Sequence, residues 1–111
     1  MNSPTREIDG SGPTRLDVEV RGLCGLHARV AALFVRVASQ FDCEILVEKD
    51  GTTVNGKSIL GLLTLAAGRG TTLTILAVGR DSVQALGQLG SLLEDGEAAF
   101  AIAMTGARQG L

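Results

Sequence analysis

The chain has 111 residues, 45% of them apolar, with three phenylalanines, no tyrosine or tryptophan and a formal charge of −2. That is enough chain for one domain with an aliphatic core, but it offers neither base-stacking platforms nor a basic field, which argues against a nucleic-acid partner. Eight of the ten cations are arginine and they are scattered, as on a solvated surface, and no apolar run approaches bilayer-spanning length.

The first residues, "MNSPTREIDGSGPTR", are polar and lack the apolar segment of a secretory signal, so residues 1–14 are read as a loose leader of a cytoplasmic protein. "RLDVEVR" then alternates Leu16, Val18 and Val20 with charged residues, the period of a half-buried strand. From Ala28 the period changes: Val30, Leu33, Phe34, Val37, Ala38 and Phe41 form the apolar stripe of an amphipathic helix. "CEILVEKDGTTVN" predicts a hairpin turning at Asp50-Gly51 as a type I′ turn. Ser58 is a good N-cap for a short helix, within which Gly61 costs about 1 kcal/mol relative to alanine. "TTLTILAV" predicts a fourth strand with Leu73, Ile75 and Ala77 on one face. Asp81 and Gln84 have the spacing of a capping box before a helix carrying Val83, Leu86, Leu89 and Leu93, which Gly87 and Gly90 weaken.

The resulting order, β-α-β-β-α-β-α, predicts an α+β fold of two layers, helices covering one face of a mainly antiparallel sheet and the other face wet. One domain over residues 15–96 is expected, followed by a tail, residues 97–111, of unassigned role. Cys24 and Cys43 are expected as reduced thiols. No metal site is expected, because a structural zinc needs about four ligands and the two cysteines with His27 fall short.

His27 is the chain's one histidine and stands at the start of the first helix, where unpaired amides and the positive end of the dipole receive anions. The same field disfavours imidazolium and leaves a nitrogen lone pair available as a nucleophile. The amides near Ala28 and Val30 and the guanidinium of Arg29 could bind a phosphoryl group there, and Gly25 lets the preceding loop approach. From position alone, a histidine that merely caps a helix is the commoner case, and thiol chemistry at Cys24 is a more distant one.

"GLHAR", "AALFVRVASQFD" and "VNGKSILGLLTLAAGRG" together resemble HPr, the histidine-containing phosphocarrier family of the bacterial phosphoenolpyruvate-dependent phosphotransferase system, from about Leu16 to Gly96. The resemblance implies an open-faced β-sandwich with strand order 1-4-2-3. It also implies a monomeric relay, which takes a phosphoryl group from Enzyme I on Nδ1 of His27, assisted by Arg29, and gives it to IIA domains or regulatory proteins. Such a protein is a stoichiometric carrier more than a turnover enzyme, and needs no cofactor. Ser58 matches a serine that a dedicated kinase of the family phosphorylates, and Ile59, Leu60 and Leu63 match an apolar partner-binding patch, although each could equally be core. Two departures stand out: Val30 replaces the proline that follows the arginine in the family, and Cys24 replaces a small polar residue. These keep open a rival reading, a regulatory binding module that retains the docking face and Ser58 but transfers poorly.

Overall fold

The alternation read in "RLDVEVR" becomes strand β1, Thr14–Glu19, in the computed structural model, which describes residues 13–96. The tail and residues 1–12 of the leader lie outside the described residues, and Thr14 already belongs to β1. Val20 falls one residue past the strand and is still buried, because its N–H donates to Thr71 O at 2.8 Å and its carbonyl accepts from Gly70 N at 2.7 Å. Helix α1 (Ala28–Ala38), strands β2 (Glu44–Lys49) and β3 (Thr52–Asn55), helix α2 (Ile59–Thr64), strand β4 (Thr72–Val78) and helix α3 (Ser82–Asp95) follow in the expected order.

The four strands form one antiparallel sheet in the order β1-β4-β2-β3. Its register is set by burial: Val18 pairs with Leu73, Val47 with Ile75 and Ile45 with Ala77, all six inward. A slip of one residue would turn that whole row to solvent. The open face carries the polar alternates. There Asp17 faces Thr74 across β1 and β4, and the Thr74 hydroxyl (2.8 Å), then the Arg15 guanidinium (3.3 Å), hold its carboxyl below the usual carboxylate range. Asp50 and Gly51, with φ of 50° and 86°, make the left-handed corners that the two-residue hairpin requires.

On the inner face α1 buries Val30, Phe34, Val37 and Ala38 of the expected stripe and Ala31 beside them, whereas Leu33 is only partly buried and Phe41 falls past the helix end at Ala38, where it packs on the core from the following loop. Helix α2 buries Leu62, and Gly61 lets its first turn lie close to β3, since a Cβ there would come 3.3 Å from that of Val54. Two expectations for α3 need correction. Asp81 does not cap it: its φ of 64° is left-handed, an N-cap backbone that leaves the carboxylate without a bond to the first-turn amides, so no capping box forms with Gln84. Val83 is 73% exposed. The buried stripe instead runs through Ser82, Ala85, Leu86, Leu89 and Leu93, and Ser82 meets the Thr14 hydroxyl at 3.0 Å.

Gly87 is exposed, and a Cβ there would meet no atom within 4 Å. Gly87→Ala is expected to stabilise the domain by about 1 kcal/mol, read as a rise of roughly 4–8 °C in the thermal midpoint. Among the described residues no helix is long and apolar enough to cross a membrane.

Candidate functional site

The segment leading into α1 is held at both ends. Arg21 N donates to Leu93 O of α3 at 3.0 Å, and a turn closed by Gly25 N to Gly22 O at 3.0 Å places Leu23 and Cys24 at its corners. Gly25 then takes a φ of 67°, and its backbone passes so close to the α2–β4 connection that a Cβ would lie 2.6 Å from Ala67 O. Leu26, buried, donates its N–H to that same carbonyl at 2.8 Å. The connection is itself anchored, because the Lys49 ammonium donates to Leu65 O at 2.9 Å and to Ala66 O at 3.3 Å. Those carbonyls end α2, where a cation is favoured.

On this support His27 is the N-cap of α1, with extended backbone (φ −91°, ψ 179°). Its Nδ1 accepts the Arg29 N–H at 3.2 Å. A ring nitrogen that accepts an N–H carries no proton, so this geometry belongs to the Nε2–H tautomer with the Nδ1 lone pair turned toward the helix amides. The first intrahelical bond runs from Ala31 N to His27 O at 2.8 Å, so the amides of Ala28, Arg29 and Val30 precede it. The imidazole is half-exposed and opens on a surface cleft of about 450 Å³, whose walls include Cys24, Arg29, Val30 and Asp95. The arrangement suits a tetrahedral anion attached at Nδ1: amides on one side, the Arg29 side chain at the rim, and solvent access for a visiting group.

The sequence-predicted residues divide into two groups. His27, Arg29 and Val30 share the cleft, with Ala28 and Arg29 exposed and the Val30 side chain buried at 7% exposure. Val30 thus fills core space while keeping an N–H that proline would lack. Ser58 lies on α2 as its N-cap, its hydroxyl oxygen accepting Gly61 N–H at 3.0 Å. The loop before it is shaped by Asn55, whose side-chain oxygen accepts Lys57 N–H at 2.8 Å, and by Lys57, whose ammonium donates to Phe41 O at 2.8 Å. Ile59 and Leu60 are 40% and 76% exposed, whereas Leu63 is half-buried and packs on the core. None of the α2 residues lines the His27 cleft. The two regions meet where Leu26 rests on Ala67 and where α2 packs on α1.

Leu23, Arg21 and Asp95 also line the cleft, and sequence reasoning passed over all three. Arg21 and Glu19 approach to 3.5 Å on the surface, a pair worth little to stability. For Leu23 the available signal was an apolar residue between turn glycines. Cys24 is exposed, Cys43 buried, and both are free thiols. Among the described residues no three His, Cys, Asp or Glu side chains gather as a metal site would require.

Comparison with known proteins places residues 15–95 in the family described as PTS HPr component phosphorylation site. The HPr-like protein Crh of Halalkalibacterium halodurans is 49% identical over 77 residues, which span 69% of this chain and 92% of that protein. The crystal structure of phosphocarrier protein HPr from Bacillus anthracis superposes with a TM-score of 0.73 at 43% identity, covering 75% of this chain and 99% of the other. Crh of Bacillus subtilis, described from its crystal structure as a dimer with a swapping domain, gives a TM-score of 0.60 at 49% identity over 68% of this chain and 87% of its own.

Proposed function

The chain belongs to the HPr family of the phosphotransferase system, and from that premise we propose that it is a phosphocarrier, accepting a phosphoryl group from Enzyme I on His27 and passing it to IIA-type or regulatory partners. The observation that carries this reading is the Nδ1 lone pair facing the Arg29 amide at the N-cap of α1. In the transfer, that lone pair leaves the amide and forms the Nδ1–P bond in line as the donor's bond to phosphorus breaks, the donor keeping the bonding electrons. The ring retains its Nε2 proton. The amides of Arg29 and its neighbours Ala28 and Val30, with the Arg29 guanidinium, then receive the phosphoryl oxygens. The reverse displacement, by a partner's nucleophile, discharges the carrier.

The relay operates in the cytoplasm, where phosphoenolpyruvate and Enzyme I are met, and a single copy suffices because one chain supplies every group at the site. The test is incubation with Enzyme I and phosphoenolpyruvate. A label that is lost in acid and stable in base supports the reading, and its absence with the native donor defeats it.

Ser58 is the regulatory position in this reading. A kinase of the family type, given ATP, is expected to modify it, adding about −1.5 to −2 charges beside exposed Ile59 and Leu60. Those two, with the partly covered Leu63, form the partner-binding patch, so the modification weakens docking of Enzyme I. Phosphate retained by a Ser58→Ala variant would refute this assignment.

The second reading is a regulatory HPr-like module that signals by occupancy. It is favoured by the 49% identity to a Crh protein and by Val30 and Cys24 in the cleft. Kinase-dependent labelling at Ser58 without any acid-labile label at His27 would select it, and a swapped dimer, as in the Crh crystal, would be its natural assembly.

A further inference from the structure

Leu23 is the most exposed large apolar side chain among the described residues, at 81%, and it stands on the wall of the His27 cleft. Its backbone is held in that place. The turn that carries it is closed by the Gly25 N to Gly22 O bond, tied to α3 through Arg21 N and Leu93 O, and tied to the α2–β4 connection through Leu26 N and Ala67 O. A leucine fixed in solvent at a turn corner does nothing for the core, and a small polar residue would serve that turn better. We propose that Leu23 is a docking and specificity residue that inserts into an apolar socket on the phosphoryl-donor protein, beside that donor's own phosphorylated side chain.

The occupant is identified by the chemistry of the cleft, so this inference rests on the phosphocarrier reading. In-line transfer brings the donor's phosphorus within roughly 3–3.5 Å of Nδ1, and a protein that reaches so far into the cleft covers its wall. Leu23 is part of that wall. Arg21 and Arg29 line the same cleft against one carboxylate, Asp95, so the cleft keeps an excess of positive charge and the socket should be apolar at its centre with an acidic group at its margin. The contact forms in the encounter complex and makes no bond to the reacting atoms. It therefore acts on binding and leaves the chemical step alone.

The experiment compares the chain with its Leu23→Ser, Leu23→Asp and Leu23→Met variants as substrates of Enzyme I and phosphoenolpyruvate, after thermal melts confirm equal folding. Leu23→Ser is expected to raise KM for the carrier about tenfold, Leu23→Asp further, and Leu23→Met to restore it, because a well-placed apolar anchor carries about that share of an interface. In each case kcat and the spontaneous hydrolysis of the isolated phosphoprotein stay unchanged. A labelled wild type with a KM that Leu23→Ser alters less than twofold overturns this inference alone. A wild type that takes no label overturns the phosphocarrier reading, and this inference with it.

Discussion

Replacing His27 by alanine is expected to lower phosphoryl uptake from Enzyme I by roughly four orders of magnitude or more, the scale of losing an essential nucleophile. Cys24, the other nucleophile on the cleft wall, is a thiol on a separate turn corner and does not accept an N-terminal amide of α1 as Nδ1 does. Alanine also deletes a helix cap. The Arg29 N–H loses its acceptor, a cost of about 1 kcal/mol or a few degrees in the thermal midpoint. His27→Asn separates the two effects, since the asparagine oxygen can accept the same N–H while offering no ring nitrogen. Its midpoint should therefore return toward that of the parent while the acid-labile label stays absent. Label persisting in either variant would move the phosphoryl site elsewhere.

Gly25→Ala should have the second largest effect, and here stability and transfer fall together. The φ of 67° costs a non-glycine residue roughly 1–2 kcal/mol. The added Cβ would also stand 2.6 Å from Ala67 O and 2.8 Å from Gly68 Cα. Both are backbone atoms, and Lys49 anchors the residues just before them through Leu65 O and Ala66 O, so little can yield except the loop that carries His27. Relief by movement would break the Leu26 N to Ala67 O bond, worth about 1 kcal/mol. The sum, about 2–3 kcal/mol, should lower the thermal midpoint by roughly 10–20 °C. Because the same movement misplaces Nδ1, kcat for transfer should drop about a hundredfold in protein that is still folded. An unchanged midpoint would mean that the close approach to Ala67 has been misjudged.

These two substitutions differ in how visible their basis is in the amino-acid order. That His27 caps α1 follows from the position of the apolar stripe beginning at Val30, and the cap is a contact across two residues. The steric demand at Gly25 comes from Ala67 and Gly68, far along the chain, and the sequence alone offered only that glycine permits a close approach. Asp81 shows the opposite failure. Its spacing to Gln84 satisfies the capping pattern, yet the tight return from β4 into α3 turns its backbone left-handed at φ 64° and leaves the carboxylate without the bond that the pattern implies. Val83 fails for a related reason, since the face of α3 that rests on the domain carries Ser82, Ala85, Leu86 and Leu89 and leaves Val83 outside.

By itself the sequence determined the element order, the inward rows of β1, β2 and β4, most of the stripe of α1, the hairpin corner at Asp50 and Gly51, and the caps at His27 and Ser58. Each of these rests on hydrogen bonds or side-chain periods spanning a few residues, which the local chain dictates wherever it folds. Only the tertiary structure decided how Lys49 and Ala67 brace the loop beneath His27, and why Leu23 stays in solvent on the cleft wall. Those depend on where separate elements come to rest against one another, and packing between distant segments leaves no period along the chain from which it could be read.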